Sequence, residues 1–552
     1  MRIGLFRTIT ILGLVLGSLD AAAQQTIGLF QYDAGTSDGY TLLAPTPSTN
    51  TYLLDNCGRA LHEWPSGYTP GNSVRLLENG ELFRTCRIAN TTFPGGGLGG
   101  RVQLMDWNGN VMWFYQYSNA NHSQHHDAIV LPNGNVLMIA WELKTRAEAI
   151  AEGRDSTLLQ QRLWPDHLIE IEPTTPGAGN IVWEWHVWDH LVQDHDSNKP
   201  NFGVVADHPE LVDLNYVQPG TTTYRDWMHT NGIDYNPTLD QIAISIHNFD
   251  EVWVIDHSTT TQEAASHSGG NSGKGGDLLY RFGNPAVYGR GTVNDQVFFG
   301  QHNVQWVPAG DQYAGQLMVY NNGLGRPAGA YSTIEIWQPP VDVNGNYSIS
   351  TGQPFGPTAM SWTWQDNPPT DFYSQLISGV QRLPGNHTLI CEGNSGRIFE
   401  LDDQGTQVWE YVNPVQSAGP LNQGDIANNN AVFRAYKYPP TYPGLNGQVL
   451  TPGNPIEGNP LPLPAICTGS ATSDPLNSGF SVAPNPFSDG FALQLLHEAD
   501  GMLEIYDMQG TLVLRQAVHS GSNAIAASHL AAGIYYVRLQ GNASAVRVAK
   551  VW

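Results

Sequence analysis

The chain is 552 residues long, carries a formal net charge of −25 and has charged side chains at only 14% of its positions. This balance excludes a nucleic-acid partner, whose affinity rests on clustered Lys and Arg neutralising phosphates. It also repels anionic substrates unless a local cationic pocket overrides the surface. The length exceeds what one growing core accommodates unless the architecture is a ring.

Arg2 and Arg7, then Ile11-Leu-Gly-Leu-Val-Leu-Gly17, then Ala21-Ala-Ala-Gln24 predict a secretory signal over residues 1–23. A basic start, a short apolar run and small residues before the cut define such a signal. The run is too short to span a bilayer, and with no later stretch of about twenty apolar residues no membrane span is expected. Export permits disulfides among Cys57, Cys86, Cys391 and Cys467. Four cysteines allow three pairings, of which Cys57 with Cys86 is preferred because their hairpins fall in adjacent units. Their scatter excludes a CxxC-type zinc site.

From Thr51 onward one phrase recurs: a short apolar strand, an acidic or polar turn, then a strand ending in an aromatic. It runs from Leu53 to Trp64, Leu104 to Trp113, Ile169 to Trp183, Val254 to Tyr280, Ile334 to Trp364 and Ile398 to Trp409. A second phrase places a polar residue about seven positions before a turn. The slot holds Asn72 ahead of Leu77-Glu-Asn-Gly80, His126 ahead of Leu131-Pro-Asn-Gly134, His229 ahead of Asn236-Pro237, His302 ahead of Pro308-Ala-Gly310 and Ser378 ahead of Leu383-Pro-Gly-Asn386. Period-two alternation between Gly, Asn and Pro turns means antiparallel hairpins, and such units must close into a ring or stack. The expected fold is therefore all-β, a six-bladed β-propeller over residues 24–450. Each inner strand comes from the slot phrase and the two outer strands from the aromatic phrase. Pairing of the outer strands at Thr51–Trp64 with the lone strand Ala431–Tyr438 would complete the sixth blade and hide both edges. Two β-sandwiches are the alternative.

Residues 451–473 have the Pro, Gly and Asn content of a linker, and residues 474–552 read as a small immunoglobulin-like β-sandwich. Phe480-Ser-Val-Ala-Pro-Asn-Pro486, Leu503-Glu-Ile-Tyr-Asp-Met-Gln-Gly510, Gly533-Ile-Tyr-Tyr-Val-Arg-Leu539 and the late Lys550 give this tail its character. It resembles the C-terminal sorting domain of the type IX secretion system. That resemblance implies a partnership with the type IX machinery and a location at the cell surface or in the medium, reached through the periplasm and outer membrane.

A propeller lines its central channel with inner strands and binds ligands at one mouth. Asn72, His126, His229, His302 and Ser378, with Asn430 as a sixth position, should therefore converge. Around these slots stand Asp226-Trp-Met-His-Thr-Asn231, Tyr280-Arg-Phe-Gly-Asn-Pro285, Gln301-His-Asn-Val304, Tyr320-Asn-Asn-Gly-Leu-Gly-Arg326, Gln381-Arg-Leu-Pro384 and Gly396-Arg-Ile-Phe-Glu400. With these phrases the stretch from Tyr40 to Leu450 resembles the bacterial arylsulfate sulfotransferase family. The resemblance implies a propeller that moves a sulfuryl group from an aryl sulfate donor to a phenolic acceptor, without nucleotide or other cofactor, through a sulfohistidine. His229 and His302 match family active-site histidines, and Arg326 matches the arginine after Asn-Gly and is the first candidate to hold the sulfate oxygens. The family's nucleophilic histidine is expected in the blade after His302, where this chain has Ser378, with Ser374 nearby. His387, in its turn, is expected to point away from the channel. Either His126, His229 or His302 then takes the nucleophile's role, or the pocket binds without turnover as a surface propeller for a glycan, aromatic or protein partner. The histidines at 122, 125, 126, 186 and 190 lack a helix and a third ligand for zinc, and Gly269–Gly276 departs from a phosphate loop at both ends. No metal is expected.

Overall fold

The computed structural model describes residues 25–551 apart from 160, 219–224, 469–479, 484–486, 496–500, 508–510 and 541–544. The expected secretory signal, the Pro-Asn-Pro entry to the tail and Met508-Gln-Gly510 lie outside the described residues. The chain forms two compact units, one ending at Leu461 and the other beginning at Pro462.

The first unit is built from antiparallel sheets whose strands follow one another in chain order. In the first sheet they are Pro70–Leu76, Leu82–Arg87, Gly100–Met105 and Val111–Gln116. The second holds His122–Val130, Val136–Glu142, Asp166–Pro173 and Gly179–His186, and the third Thr230–Asn236, Gln241–Ile246, Glu251–Asp256 and Tyr280–Phe282. His302–Trp306, Leu317–Asn321, Thr333–Trp337 and Trp362–Trp364 make the fourth. The fifth joins Gly379–Leu383, His387–Glu392, Arg397–Leu401 and Gln407–Val412, and Gly28–Tyr32 adds to its outer edge. In the sixth, Val432–Tyr438 pairs with Tyr40–Pro45, which pairs with Thr51–Leu54 and then Ala60–Trp64. The all-β expectation is met. The late strand reaches Tyr40–Pro45, however, and not the Thr51–Trp64 hairpin directly, because a strand the repeat did not reveal stands between them.

Two features tie consecutive sheets together. Apolar residues on facing sheets form a core between each pair: Phe83 and Val102 meet Met138 and Ala140, and Ile139 meets Ile233 and Ile244. In the same way Val254 meets Val319, Tyr320 meets Ile390, Leu389 meets Leu54, and Leu53 meets Val74 and Leu82. Outer-strand aromatics then clasp the next sheet by a hydrogen bond. The Trp64 indole donates to the Asp106 carbonyl (3.2 Å), Trp113 to Ala178 (2.9 Å) and Trp183 to the Thr259 hydroxyl (3.1 Å). The Tyr280 hydroxyl donates to Gly356 (2.8 Å), Trp364 to Gly405 (3.2 Å) and Trp409 to Asn56 (2.7 Å). A large ring buried with its polar handle satisfied combines area with a fixed orientation.

The first strands of the six sheets touch in the order first, second, third, fourth, fifth, sixth and first again. Four of them carry a bulge at the slot. The ladder shifts register at Pro70/Val74, at Gln124/Ala128, at Thr230/Gly232 and at His302/Gln305. The bulges contain or abut residues with left-handed backbone: Asn72 (φ 96°), His126 (47°), His229 (54°) and Asn303 (57°). Such bulges re-aim side chains beside functional sites.

Cys57 is disulfide-bonded, but not to Cys86, which with Cys391 is a free buried thiol. The preferred Cys57–Cys86 pairing is thus corrected: Cys86 lies in the strand Leu82–Arg87, wholly buried against its own sheet. Residues 451–461, expected as linker, pack on the first unit, with the Gly453 amide donating to Ala60 and Arg59 bridging to Pro455. The second unit has a three-stranded sheet of Phe480–Ala483, Gly490–Leu495 and Ser522–Ala526, and a four-stranded sheet of Gly501–Tyr506, Leu512–Val518, Gly533–Leu539 and Ala545–Lys550. Phe480, Phe491, Leu503, Ile505 and Val537 form its core.

Candidate active site

The slot histidines of the second, third and fourth sheets come together, joined by His247, a residue sequence reasoning missed. Ring centroids are 4.5 Å apart for His126–His229, 5.2 Å for His229–His247 and 5.5 Å for His247–His302. Phe433, on the first strand of the sixth sheet, closes the circuit at 6.3 Å from His302 and 6.2 Å from His126. Beneath it Arg434 pairs with the fully buried Asp127 and donates to the Asn231 carbonyl at 3.0 Å. Arg434 thereby plugs the interior below the imidazoles.

The proton on each imidazole is set by its partners. Nδ1 of His302 lies 3.0 Å from the Gly300 carbonyl and 2.9 Å from Asn322 Oδ1. Both only accept, so Nδ1 carries the proton and Nε2 keeps its lone pair. Asn322 cannot turn over, because its Nδ2 donates to the carbonyls of Ser374 (2.7 Å) and Leu376. Ser378 donates its hydroxyl to the same Asn322 Oδ1 at 3.2 Å. The residue in the expected nucleophile slot thus supports His302 through Asn322. Burial, then neighbouring His247, holds the His302 pKa well below the ordinary imidazole value.

His229 is the opposite case. Its Nδ1 donates to Asp226 Oδ2 at 2.5 Å, and Asp226 Oδ1 accepts from the Trp141 indole at 2.8 Å. Burial alone would depress this imidazole, but the Asp226 carboxylate outweighs it and raises the pKa. About a fifth of the side chain (21%) remains exposed. His247 donates Nδ1 to Asn248 Oδ1 at 2.9 Å, and burial, then the charge on His229, lowers its pKa to about 4. His126 is capped: its Nδ1 meets His125 Nδ1 at 2.8 Å, and His125 in turn reaches Asp166 at 3.1 Å. Gly97, at φ 73°, lies so close to the other edge that a Cβ there would fall 2.1 Å from His126 Nε2. Only glycine fits both that backbone angle and that approach. Among these four imidazoles, then, His229 is the one whose partner favours the charged form, while His302 stays neutral with its Nε2 lone pair free.

The other expected site residues stand apart. Asn72 lies in the first-sheet bulge, and no hydrogen bond or ring contact among the described residues joins it to the imidazoles. Arg326 stacks on Phe299 (5.1 Å) and Tyr331 (4.5 Å) and donates to Thr333 Oγ1 at 3.1 Å, so it braces the loop that follows Asn322. Asn430 turns to the fifth sheet, donating to Ser395 and Asn413 carbonyls. His387 points away and bonds Glu400 at 2.8 Å. His190, His267 and Asp277 gather three ligand atoms within 4.8 Å, but both His190 nitrogens are already used, by Asp277 and by the Ala264 carbonyl.

Comparison with known proteins follows from this geometry. A model of the family described as Arylsulfotransferase (ASST) matches residues 31–420, and the Secretion system C-terminal sorting domain matches residues 481–551. No curated protein matches the chain. Among solved structures, a protein of unknown function from Bacteroides caccae is 11% identical, covering 73% of this chain and 99% of its own, with a TM-score of 0.38. PorZ of the type IX secretion system of Porphyromonas gingivalis is 11% identical over 92% of this chain and 50% of its own, at 0.26. The Cps50 (Swd1) β-propeller domain of Myceliophteria thermophila is 10% identical over 70% of this chain and 90% of its own, at 0.32. These scores are too low to carry a conclusion about this chain. The sorting domain marks it for export to the cell surface or the medium, and no described helix is long and apolar enough to cross a membrane.

Proposed function

The chain belongs to the arylsulfotransferase family, and from that premise we propose that its histidine cluster transfers a sulfuryl group from an aryl sulfate to a phenol. The first unit is read as a six-bladed propeller closed by the pairing of Tyr40–Pro45 with Val432–Tyr438. The ring of touching first strands and the aromatic clasps running from sheet to sheet support that reading.

The observation that carries the proposal is the locked tautomer of His302. A neutral imidazole with Nδ1–H held by two acceptors presents an unshared pair at Nε2, which is what a sulfur electrophile requires. In the first step that pair attacks sulfur, the bond from sulfur to the aryl oxygen breaks, and the leaving phenolate takes the proton from His229 Nε2. An N-sulfohistidine and a neutral His229 remain. In the second step the acceptor phenol returns a proton to His229 while its oxygen attacks sulfur, and the N–S bond breaks to restore His302. Asp226 holds His229 in the orientation that makes it acid and then base. Arg326 acts by bracing the Asn322 loop.

Purified protein is expected to move sulfate from 4-nitrophenyl sulfate to phenol, and digests prepared at neutral to alkaline pH after donor treatment should carry one sulfo adduct on His302. Donor binding with no transfer and no adduct would make the pocket a receptor for sulfated aromatics, the reading that the serine at position 378 favours. An adduct on His126 or His229 would move the nucleophile there.

A further inference from the structure

The first strands of the six sheets carry the histidines near their starts. Near their ends lies a second cleft of about 320 Å³, lined by Arg75, Asp234, Gln305, Trp306, Arg382 and Tyr436 among others. The Arg434–Asp127 ion pair lies on the same first strands, and neither residue lines this cleft. From its lining residues we infer that this cleft binds a small oxyanion, a carboxylate or sulfate group, held by the Arg75 guanidinium, the Gln305 amide and the Tyr436 hydroxyl.

Unmade hydrogen bonds carry the argument. Nε and Nη2 of Arg75, Nε2 of Gln305 and the Tyr436 hydroxyl are all buried without a partner. Tyr436 as a whole is only 6% exposed. Native interiors leave few such groups, and buried cations without an acceptor are the rarest of them. All of these groups donate, so what satisfies them must accept. A planar guanidinium and an amide NH2 lining one cleft can each donate to the oxygens of a carboxylate or a sulfate. Most other polar groups of this cleft are occupied, the exception being Nη2 of Arg382, a further buried donor without a partner. Arg382 pairs with Asp311 at 2.7 Å, and the Tyr438 and Tyr442 hydroxyls bond the Leu76 backbone at 2.9 and 2.8 Å. Asp234 is the lining carboxylate; its Oδ2 accepts from the Trp306 amide at 2.8 Å, and its charge attracts Arg75 without an ion pair between the two among the described residues. Arg75 sits 4.9 Å over the Tyr436 ring, and Trp306 offers a half-buried indole beside it, so an arene attached to the oxyanion has a wall to lie on.

Isothermal titration with sodium benzoate and, separately, sodium sulfate tests the inference on the full chain and on three variants. The intact protein should bind at least one of the two at one equivalent, and His302→Asn should bind it equally well. Arg75→Met should weaken that binding by about thirtyfold or more, and Tyr436→Phe, a change small enough to keep the fold if Arg75→Met does not, by about five- to tenfold. Benzoate binding tighter than sulfate would identify an aromatic carboxylate, and equal binding an inorganic oxyanion. No saturable binding of either anion at 10 mM would overturn the inference, on the order of the weakest affinity worth calling a site. Loss of binding in His302→Asn with retention in both Arg75→Met and Tyr436→Phe would overturn it equally, by placing the anion among the histidines.

Discussion

Asn322 Oδ1 accepts the Nδ1 proton of His302 at 2.9 Å, and that contact decides which nitrogen of the imidazole is free. Its neighbours fix the amide so that it offers only oxygen to the ring. Asn322 thereby decides whether His302 can attack sulfur without itself touching substrate.

Replacing Asn322 by Asp tests this role directly. The carboxylate would still accept from Nδ1 but would also stabilise the imidazolium, raising a pKa that burial now holds far down. The wild-type rate should show no acid limb near neutrality, because His302 is neutral down to well below 6.5. Asn322→Asp should gain such a limb as the ring protonates, with turnover below it reduced by about 10² or more. The Ser378→Ala variant, which removes only a 3.2 Å contact to Asn322, should lose a few-fold at most. A pH–rate profile of all three proteins reads the result, and an unchanged profile in Asn322→Asp would remove His302 as the nucleophile.

His229 should matter in proportion to the leaving group. Its pKa is raised, so the acid form is present below that value and is lost as pH rises through it. 4-Nitrophenolate departs without help, whereas unsubstituted phenolate needs a proton. His229→Asn should therefore slow transfer from phenyl sulfate by about 10²–10⁴ but from 4-nitrophenyl sulfate far less. For wild type the alkaline limb should likewise be steeper with phenyl sulfate. Equal losses with both donors would show His229 binding sulfate rather than moving a proton.

Which parts of this were legible in the sequence follows from what repeats. The slot and aromatic phrases repeat because every sheet must line the interior with its first strand and clasp its neighbour with its last. Trp64, Trp113, Trp183, Trp364 and Trp409 were accordingly readable as packing between units. Second strands are apolar on both faces, as in Val136–Glu142 and Gln241–Ile246, so they show no alternation to detect. His247 and Asn322 follow immediately on such strands, which is why they escaped. Asp226 and Asn322 do lie inside phrases that carry the family resemblance, but nothing in one sequence says that they face His229 and His302. Phe433 and Arg434 carry no such signal: the slot spacing points to Asn430 as the sixth position, while the strand itself starts at Val432.

The clasps should be measurable one at a time. Trp409→Phe keeps most of the ring but leaves the Asn56 carbonyl, on a 5% exposed residue, without its donor. A buried acceptor left unpaired costs about 1–3 kcal/mol. The melting temperature of the first unit should fall by a few degrees, with the histidine chemistry unchanged once folded. An unaltered melting curve would mean that the Trp409 bond adds nothing to the Lys437–Glu400 ion pair and the Gln381 bonds to the Lys437 backbone that also join the fifth and sixth sheets.

Arg434 and Asp127 join the sixth sheet to the second across the interior, and both are buried, with Asp127 also accepting from the Ile233 amide at 3.2 Å. Removing one partner strands the other's charge in a place water does not reach, which costs about 3–5 kcal/mol. Arg434→Met alone should therefore destabilise strongly. Adding Asp127→Asn should restore part of the loss, since the amide still accepts from Ile233 and the carboxylate stranded by Arg434→Met is gone, while Arg75 loses that carboxylate's attraction. Chemical denaturation of the two single variants and the double variant gives the coupling, expected at about 2 kcal/mol or more in favour of the double. Additive losses would instead mean that Arg434 is held by its bond to the Asn231 carbonyl and by packing on Phe433, 4.8 Å away, and that the plug beneath the histidines does not depend on the ion pair.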